Sequence, residues 1–364
     1  MMVEKAIQRL AAEDAYRDEL VMLREWDTAA APPGWLLSPF AVEHFILGND
    51  KLGIESKFVA PRELLTRVII SLATNRGVML IGEPGTAKSW LSELLACAIS
   101  GHSQFTIQGG AVSHYNQLLY GWNEALLQRD GPSKEALIPG PIYRGMAAGQ
   151  LVRFEELARC PAPVQDAILS ILSERKLHIP ELSGEDASLY ARDGFNIIGT
   201  SNSLDKGVYD MSAALKRRMN FETIAAISDI QNEIDVVQRE ANKLIERSGI
   251  AITLDPMIID MLVTVFHELR NGQTLNGRST DRLASAVMST AEAVSVAHAM
   301  GVYAHYYGDG KIRPGDMIHF LLGATLKDNL QDRRRVKHYF DTEVVSKPGS
   351  HWQELYEQSN ILKA

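Results

Sequence analysis

Short apolar runs alternate with amphipathic segments through the first two thirds of the chain. Residues 78–81 form one such run between two glycines, and apolar residues then recur at helical spacing from Trp90 to Ala98. A short apolar run bounded by glycine predicts a buried strand, and the helical spacing predicts a helix that follows it. The same reasoning predicts further strands at 104–108, 151–156 and 195–202, and a hairpin within 176–194.

The pattern changes after residue 227, where strand signals stop and helical periodicity dominates. Helices are predicted there at 230–247, 256–271, 279–300 and 314–330. The alternation of strands and helices before this point indicates a parallel α/β domain, and the remainder indicates a helical domain. We therefore predict an N-terminal helical arm and linker, an α/β nucleotide-binding domain, a helical lid domain and a C-terminal tail, at 1–50, 51–227, 228–335 and 336–364.

The segment between the first strand and the following helix has the composition of a phosphate-binding loop. Its glycines allow the backbone to turn so that N–H groups face an anion, and the helix N-terminus adds its positive end. Lys88 is expected to reach the outer phosphates, and the Ser89 hydroxyl is expected to hold Mg²⁺. The predicted nucleotide-binding residues are Gly82, Glu83, Pro84, Gly85, Thr86, Ala87, Lys88 and Ser89.

Two carboxylates end the strand predicted at 151–156. Ligands of open α/β sheets bind at the carboxyl ends of the strands, so Glu155 and Glu156 are expected beside the phosphates. We interpret Glu155 as the residue on the metal side and Glu156 as the base that polarises an attacking water. Glu155 replaces the usual Asp, and Arg153 interrupts the apolar run, so a site with little turnover remains an alternative.

Composition narrows the classes of partner. The formal net charge of −8 gives no general attraction to nucleic acid or to anionic lipid. Cys97 and Cys160 are isolated and lack the spacing of a metal site, which favours a reducing compartment. No apolar run approaches the roughly 18 residues of a membrane span, and the first residues lack the apolar segment of a signal peptide. We therefore expect a cytoplasmic protein that binds neither nucleic acid nor membrane.

Several of these motifs, in this order, resemble those of the MoxR-like AAA+ ATPases. Ala87 precedes Lys88 where the generic loop has glycine, and residues 140–143 are similar to the Gly-Pro-Ile-aromatic run after the family's helix-2 insertion. The resemblance covers roughly residues 55–330. The Glu-Glu pair and the Ile-Leu-Ser-Glu-Arg run at 171–175 look most like the YehL-like subgroup. The resemblance implies an AAA+ P-loop domain, with a parallel sheet flanked by helices and a helix-2 insertion, followed by a helical lid.

The resemblance also implies roles for residues outside the loop. Asn202, at the end of a predicted strand, is similar to the sensor-1 residue that orients water against the γ-phosphate. Arg218 falls on the arginine finger that acts on a neighbouring subunit, with Arg217 as the alternative. Arg282 lies where the family has the sensor-2 arginine at the start of a lid helix, with Arg278 as the alternative.

The activity that the resemblance implies is ATP hydrolysis with Mg²⁺, which would drive chaperone-like remodelling or activation of a protein partner. The subgroup is encoded beside proteins with von Willebrand factor A domains, so such a protein is the expected partner. The expected assembly is a closed ring of identical chains, and analogy with the family implies six subunits. Two alternatives remain open: a nucleotide-dependent switch or scaffold with little turnover, and a P-loop kinase, which would act as a monomer.

Overall fold

A computed structural model describes residues 8–202, 211–283, 287–326 and 329–363 of the chain. By their contacts these residues divide into two compact units. The first unit comprises the residues up to Gly82 together with Lys88–Ile224, and the second comprises Glu83–Ala87 together with the residues from Ala225 onward. The turn of the phosphate-binding loop therefore groups with the second unit, although it joins a strand and a helix of the first.

A parallel sheet forms the centre of the first unit. The strands, numbered along the chain, are β1 (Gly77–Gly82), β2 (Thr106–Gln108), β3 (Tyr120–Trp122), β4 (Leu137–Pro139), β5 (Val152–Glu155), β6 (Lys176–His178), β7 (Ser188–Tyr190), β8 (Ile197–Asn202) and β9 (Met219–Thr223). Among the described residues, five of them form one sheet in the order β2-β5-β8-β1-β9, and every neighbouring pair is parallel. The predicted hairpin is confirmed as the antiparallel pair β6–β7, and β3 pairs with β4 in the same way.

Helices cover both faces of this sheet, as a parallel sheet requires. Along β1, Val78 and Leu80 belong to a buried cluster on one face, whereas Met79 belongs to a cluster on the other. This alternation follows from the two-residue period of a strand. The helices of the first unit are α1 (Ala12–Ala15), α2 (Arg17–Trp26), α3 (Pro39–Leu47), α4 (Arg62–Leu72), α5 (Lys88–Ser100), α6 (Glu124–Asp130), α7 (Pro141–Ala148), α8 (Ala162–Glu174) and α9 (Ala213–Lys216).

The N-terminal helices belong to the core of the first unit. Leu20 and Leu23 of α2 are buried in the same cluster as the apolar residues of α3, α4 and α5. The connection to α3 is fixed by Asp27, whose carboxylate accepts hydrogen bonds from the backbone N–H and the hydroxyl of Ser38. Ser38 in turn caps α3 by accepting from the N–H of Ala41, and Pro39 occupies the first helical position. The predicted N-terminal arm thus packs against the α/β unit.

The second unit contains helices in its described part, and one large cluster of buried side chains lies between them. The predictions at 230–247 and 256–271 are confirmed, whereas the helix predicted at 279–300 is wrong at its start. That helix begins at Thr290, because Ser289 and Glu292 form a capping box there, while Ser279 instead pairs with Gln273 in an isolated bridge. The helices are α10 (Ile230–Arg247), α11 (Pro256–Asn271), α12 (Thr290–Tyr306), α13 (Met317–Thr325), α14 (Leu330–Thr342) and α15 (Ser350–Glu357).

The helices of the described residues share one further property: none is long and apolar enough to cross a membrane.

Both cysteines lie in the first unit and both are buried. Burial raises the pKa of the Cys160 thiol to about 12. Burial also raises the pKa of the Cys97 thiol, in α5, still further above its ordinary value. Neither thiol is therefore ionised at neutral pH.

Glu268 anchors the last helices of the second unit. Its fully buried carboxylate accepts hydrogen bonds from the Tyr339 hydroxyl at 2.6 Å, from Lys347 Nζ at 2.9 Å and from the N–H of Leu275 at 3.1 Å. Burial, followed by the charge of Glu268, raises the pKa of Tyr339 well above its ordinary value. Residues after 336 therefore supply donors that a buried carboxylate requires.

We expect Tyr339→Phe to destabilise the second unit by about 1–3 kcal/mol, because Glu268 loses a donor that water cannot replace in the buried site. Differential scanning calorimetry should show this loss as a lower Tm. Tyr307→Phe is the matched control, since the Tyr307 side chain is 83% exposed. An equal Tm for both variants would contradict the anchoring role of Tyr339.

Candidate nucleotide-binding site

The phosphate-binding loop joins the carboxyl end of β1 to the first turn of α5. Gly85 and Ala87 adopt positive φ angles of 77° and 59°. Ala87 thus takes the left-handed conformation at the position where the generic loop has glycine, a conformation that costs an alanine about 1 kcal/mol. Within the loop, the Thr86 hydroxyl donates to the carbonyl of Glu83 at 2.9 Å, and Lys88 Nζ donates to the carbonyl of Gly82 at 3.1 Å.

The turn of this loop contacts other residues of the second unit. A Cβ atom on Gly85 would lie 2.2 Å from the Cβ of Ser289, so both the φ angle and the available space require glycine there. Arg282 Nη2 lies 3.6 Å from the Glu83 carboxylate, whereas Arg278 pairs with Glu343 at 3.0 Å. Of the two arginines considered for sensor 2, the structure places Arg282 beside the loop.

Glu155 is a buried carboxylate that accepts hydrogen bonds from four side chains. It is 6% exposed and ends β5. One carboxylate oxygen accepts from the hydroxyls of Ser89 at 2.6 Å and Thr200 at 2.7 Å, and the other accepts from Ser92 at 2.7 Å and from Arg153 at 3.0 Å. Strand β8, helix α5 and strand β5 thus all supply donors to this carboxylate.

These contacts decide the charge of Glu155. Burial alone would raise its pKa, but hydrogen bonds from Ser89, Thr200 and Ser92 and the charge of Arg153 outweigh burial, so the pKa of Glu155 lies below its ordinary value. The carboxylate is therefore ionised at neutral pH. Its contact with Ser89 brings together the two residues that the sequence assigned to the metal.

The oxygen atoms of Ser89 and Glu155 suit Mg²⁺, which prefers hard oxygen ligands and usually retains several waters. Both oxygens of Glu155 already accept two hydrogen bonds each. This donor set fits a metal held through water as well as directly. The described residues hold no group of three or more His, Cys, Asp or Glu side chains arranged for a metal.

Glu156 follows Glu155 but points to a different partner. Its backbone is left-handed, with φ at 56°, and its N–H donates to the Thr200 hydroxyl at 3.1 Å. Its carboxylate pairs with Arg159 at 3.2 Å and is 30% exposed. The reversal of the backbone at Glu156 thus separates two adjacent carboxylates, one buried among hydroxyls and one accessible to water.

Asn202 is placed beside the loop by strand register. It ends β8, and its Cα is the partner of Gly82 in the parallel pairing of β1 with β8. The carboxyl ends of β1, β5 and β8 therefore carry the loop, the carboxylates and the amide at the same edge of the sheet. Residues 203–210, which follow Asn202, lie outside the described residues.

Arg218 lies at the amino ends of the strands, opposite to the loop. Its carbonyl accepts a hydrogen bond from the N–H of Gly77, the first residue of β1, at 2.9 Å. The loop begins at Gly82, five residues further along the strand, which corresponds to roughly 16 Å. The guanidinium of Arg218 donates to Ser173 Oγ at 2.9 Å and to the carbonyl of Ala214 at 3.2 Å. The structure does not bring Arg218 to the loop of its own chain.

The neighbouring Arg217 contributes its carbonyl to a hydrogen bond from Arg76. Arg76 lies just before β1, so Arg217 also sits at the amino end of that strand. Both arginines therefore lie away from the loop of their own chain. Either of them is compatible with a role at the loop of another subunit.

Sequence reasoning missed three residues of this site. Thr200 and Ser92 each donate to Glu155, and Arg153 was interpreted as an interruption of the strand. Arg153 is instead buried and bonds to the Glu155 carboxylate, to the Ser92 hydroxyl and to the Ser89 carbonyl. An arginine two residues before an acid in a buried strand was a signal for such a pair, since a lone buried charge is unfavourable.

The parallel sheet and the phosphate-binding loop after β1 define an AAA+ P-loop protein, and comparison with known proteins agrees with this class. Residues 77–219 match the AAA domain of the dynein-related subfamily, and residues 231–363 match the C-terminal domain of the YehL-like AAA+ ATPases. The chain is 47% identical over 357 residues to the uncharacterized protein YehL of Escherichia coli strain K12, covering 98% of each chain. The chain belongs to the YehL-like AAA+ ATPases.

More distant similarities were also found, one in sequence and one in fold. The chain is 24% identical to the chaperone MoxR1 of Mycobacterium tuberculosis, over 57% of this chain and 52% of that protein. A crystal structure of NtrX from Brucella abortus is similar in fold, with a TM-score of 0.50 at 12% identity, over 84% of this chain and 62% of that chain. The recognition of a MoxR-like AAA+ protein from its motifs is confirmed, and so is the predicted fold class.

We expect Thr200→Val to lower the free energy of unfolding of the first unit by about 1–3 kcal/mol, because one hydroxyl serves both Glu155 and the N–H of Glu156. Valine keeps the shape and removes both hydrogen bonds. Urea denaturation measures the change. Ser201→Ala is the control, since that hydroxyl makes a single contact of 3.5 Å to the carbonyl of Asn202. A similar effect of the two substitutions would contradict the role of Thr200.

Proposed function

We propose that this protein is a cytoplasmic ATPase that uses ATP and Mg²⁺ to remodel or activate a protein partner. The observation that carries the proposal is the convergence of the Ser89 hydroxyl with the ionised Glu155 carboxylate at 2.6 Å, directly after a phosphate-binding loop. Lys88 and the backbone N–H groups of the loop bind the phosphates, with the positive helix N-terminus of α5 behind them. Ser89 and Glu155 hold Mg²⁺, which neutralises charge on the phosphates when it is bound.

Glu156 is the base in this proposal. It is the one of the two adjacent carboxylates that is accessible to water, and its side chain is paired with Arg159 at 3.2 Å. To polarise a water, its side chain must leave Arg159 and turn to the phosphates, as a rotation about its side-chain bonds allows. Asn202, held at the same edge by its register with Gly82, orients that water.

The position of Arg218 supports a ring of identical chains, with six as the expected number. Charge develops on the γ-phosphate during hydrolysis, and an arginine supplied by a neighbouring subunit stabilises it in other NTPases. Arg218 lies at the edge of the sheet opposite its own loop, and a head-to-tail contact can bring it to the loop of the next chain. Contacts of that kind close into a ring or continue as a filament. Arg282, beside Glu83, is the cation supplied within the chain.

A protein partner fits the acidic composition better than nucleic acid does, since the formal net charge is −8. MoxR1, one of the distant relatives, is named a chaperone. By analogy with the family, we propose a protein with a von Willebrand factor A domain as the partner. ATPase activity that rises on addition of DNA or RNA at physiological salt would contradict this part of the proposal.

A switch or scaffold with little turnover is the second candidate. Two ion pairs favour it: Arg153 occupies one oxygen of Glu155, and Arg159 holds Glu156. In that case, nucleotide would be bound and released without rapid hydrolysis. A steady-state measurement of phosphate release separates the two candidates.

We expect Glu156→Gln to retain ATP affinity and to lose turnover at least about a hundredfold, because the amide keeps the shape and cannot accept a proton. Isothermal titration with ATP and a phosphate-release assay measure the two quantities. Lys88→Ala is the reference variant and should lose ATP binding itself, because the point charge at the phosphates is removed. If Glu155→Gln stops turnover while Glu156→Gln stays active, the two roles are reversed.

We expect ATPase activity to return when Arg218→Ala chains are mixed with Glu156→Gln chains, each inactive alone. In a mixed ring, some interfaces join an intact base to an intact arginine of the neighbour. Arg217→Ala chains serve as the comparison, since that arginine is the alternative finger. Co-assembly is verified by mass measurement, and no recovery in verified mixed rings would show that Arg218 does not act between subunits.

A further inference from the structure

Carboxylates around the carboxyl end of β5 are each paired with an arginine. The shortest pairing distances are 2.6 to 3.2 Å, and Arg153 also lies 3.7 Å from Glu93. An exposed ion pair contributes little to stability, but a buried one must compensate the desolvation of both charges. The pairs are Glu155 with Arg153, Glu156 with Arg159, and Glu93 with Arg9.

Arg153 differs from the other two arginines in being buried and fixed. Its side chain is 9% exposed, whereas the side chains of Arg159 and Arg9 are 47% and 65% exposed. Its guanidinium donates to the Glu155 carboxylate at 3.0 Å, to the Ser89 carbonyl at 3.0 Å and to the Ser92 hydroxyl at 2.9 Å. Further bonds to the Ser103 carbonyl and Thr106 hydroxyl hold its other nitrogen. This positive charge cannot swing away from Glu155.

The fixed charge changes what a metal ion meets at Ser89. A carboxylate alone would attract a divalent cation strongly. The Arg153 guanidinium lies 3.0 Å from the carboxylate, so it repels the same cation from a similar distance and cancels much of that attraction. Glu93 forms a second, longer ion pair with Arg153 at 3.7 Å, but Glu93 is also paired with Arg9 at 2.6 Å, so two acids face two arginines here. Lys88 adds one more positive charge to the loop. The protein side of the metal site is therefore close to neutral.

We propose that Arg153 is a positioning residue and counter-charge that keeps Glu155 from binding Mg²⁺ unless nucleotide phosphates are present. The inference rests on the proposed ATPase function, which supplies the metal site. In this arrangement the phosphates provide the negative charge for the metal. Glu155 orients the Ser89 hydroxyl, which is one of the metal's ligands. The apo protein is thus kept free of divalent cations, and the metal enters as its nucleotide complex.

Titration of the whole protein with Mn²⁺ in the absence of nucleotide tests this, with free Mn²⁺ followed by electron paramagnetic resonance. We expect weak binding to the unmodified protein and binding at least about tenfold tighter to Arg153→Met, because the neutral side chain leaves the charge of Glu155 uncancelled. Arg153→Lys keeps the charge and should bind Mn²⁺ as weakly as the unmodified protein. Damage to the structure would not increase metal affinity, so the direction of the change separates the two explanations.

Arg67→Met is the matched control, because Arg67 forms a bidentate pair with Glu222 on the surface and its removal should leave Mn²⁺ affinity unchanged. Arg153→Gln gives a second neutral variant that keeps an amide donor for the Ser89 carbonyl. The inference is overturned if neither neutral variant gains affinity, if Arg153→Lys gains as much as Arg153→Met, or if both neutral variants fail to fold.

A separate titration of the unmodified protein with ATP and Mg²⁺ distinguishes a failed inference from a failed function. Absence of ATP binding there would overturn the ATPase proposal. ATP binding together with unchanged Mn²⁺ affinity in the neutral variants would overturn only the role given to Arg153.

Discussion

A carboxylate buried at the end of a strand must be fully hydrogen-bonded, and this requirement at Glu155 organises the α/β unit around the loop. Its donors come from the first turns of α5, from β8 and from β5 itself. Breaking a buried charge pair by removing one partner costs about 3–5 kcal/mol in measured cases. The positions of these three elements are therefore fixed by the same group that faces the phosphate-binding loop.

The parallel sheet adds a second constraint, because all its strands run in the same direction. Their carboxyl ends and their amino ends therefore carry different functional groups. The carboxyl ends of β1, β5 and β8 gather the loop, Glu155 and Asn202, as in other open α/β sheets. The amino end of β1 carries Arg218 through its backbone bond to Gly77. A chain of this topology presents an anion site and a cation at opposite edges.

Much of this arrangement was predictable, because the signals are local. The strand at 78–81 and the loop after it need only neighbouring residues to be recognised, and helix α10 carries its own Asp229 cap. The start of α12 was not predictable from periodicity alone, since Ser289 competes with earlier polar residues for the N-cap. The hydroxyls of Ser92 and Thr200 could not be assigned, because their partner Glu155 is 63 and 45 residues distant in sequence. Their roles come from packing.

The burial of Cys97 and Cys160 has a practical consequence for spectroscopy on this protein. The thiolate is the form of cysteine that attacks a maleimide, and both native thiols are held protonated and out of solvent. A cysteine introduced at an exposed position such as Tyr190, which is 65% exposed, would react far faster than either. A single fluorophore can thus be attached without first replacing the native cysteines. Cys97, which is part of α5, can therefore stay in place.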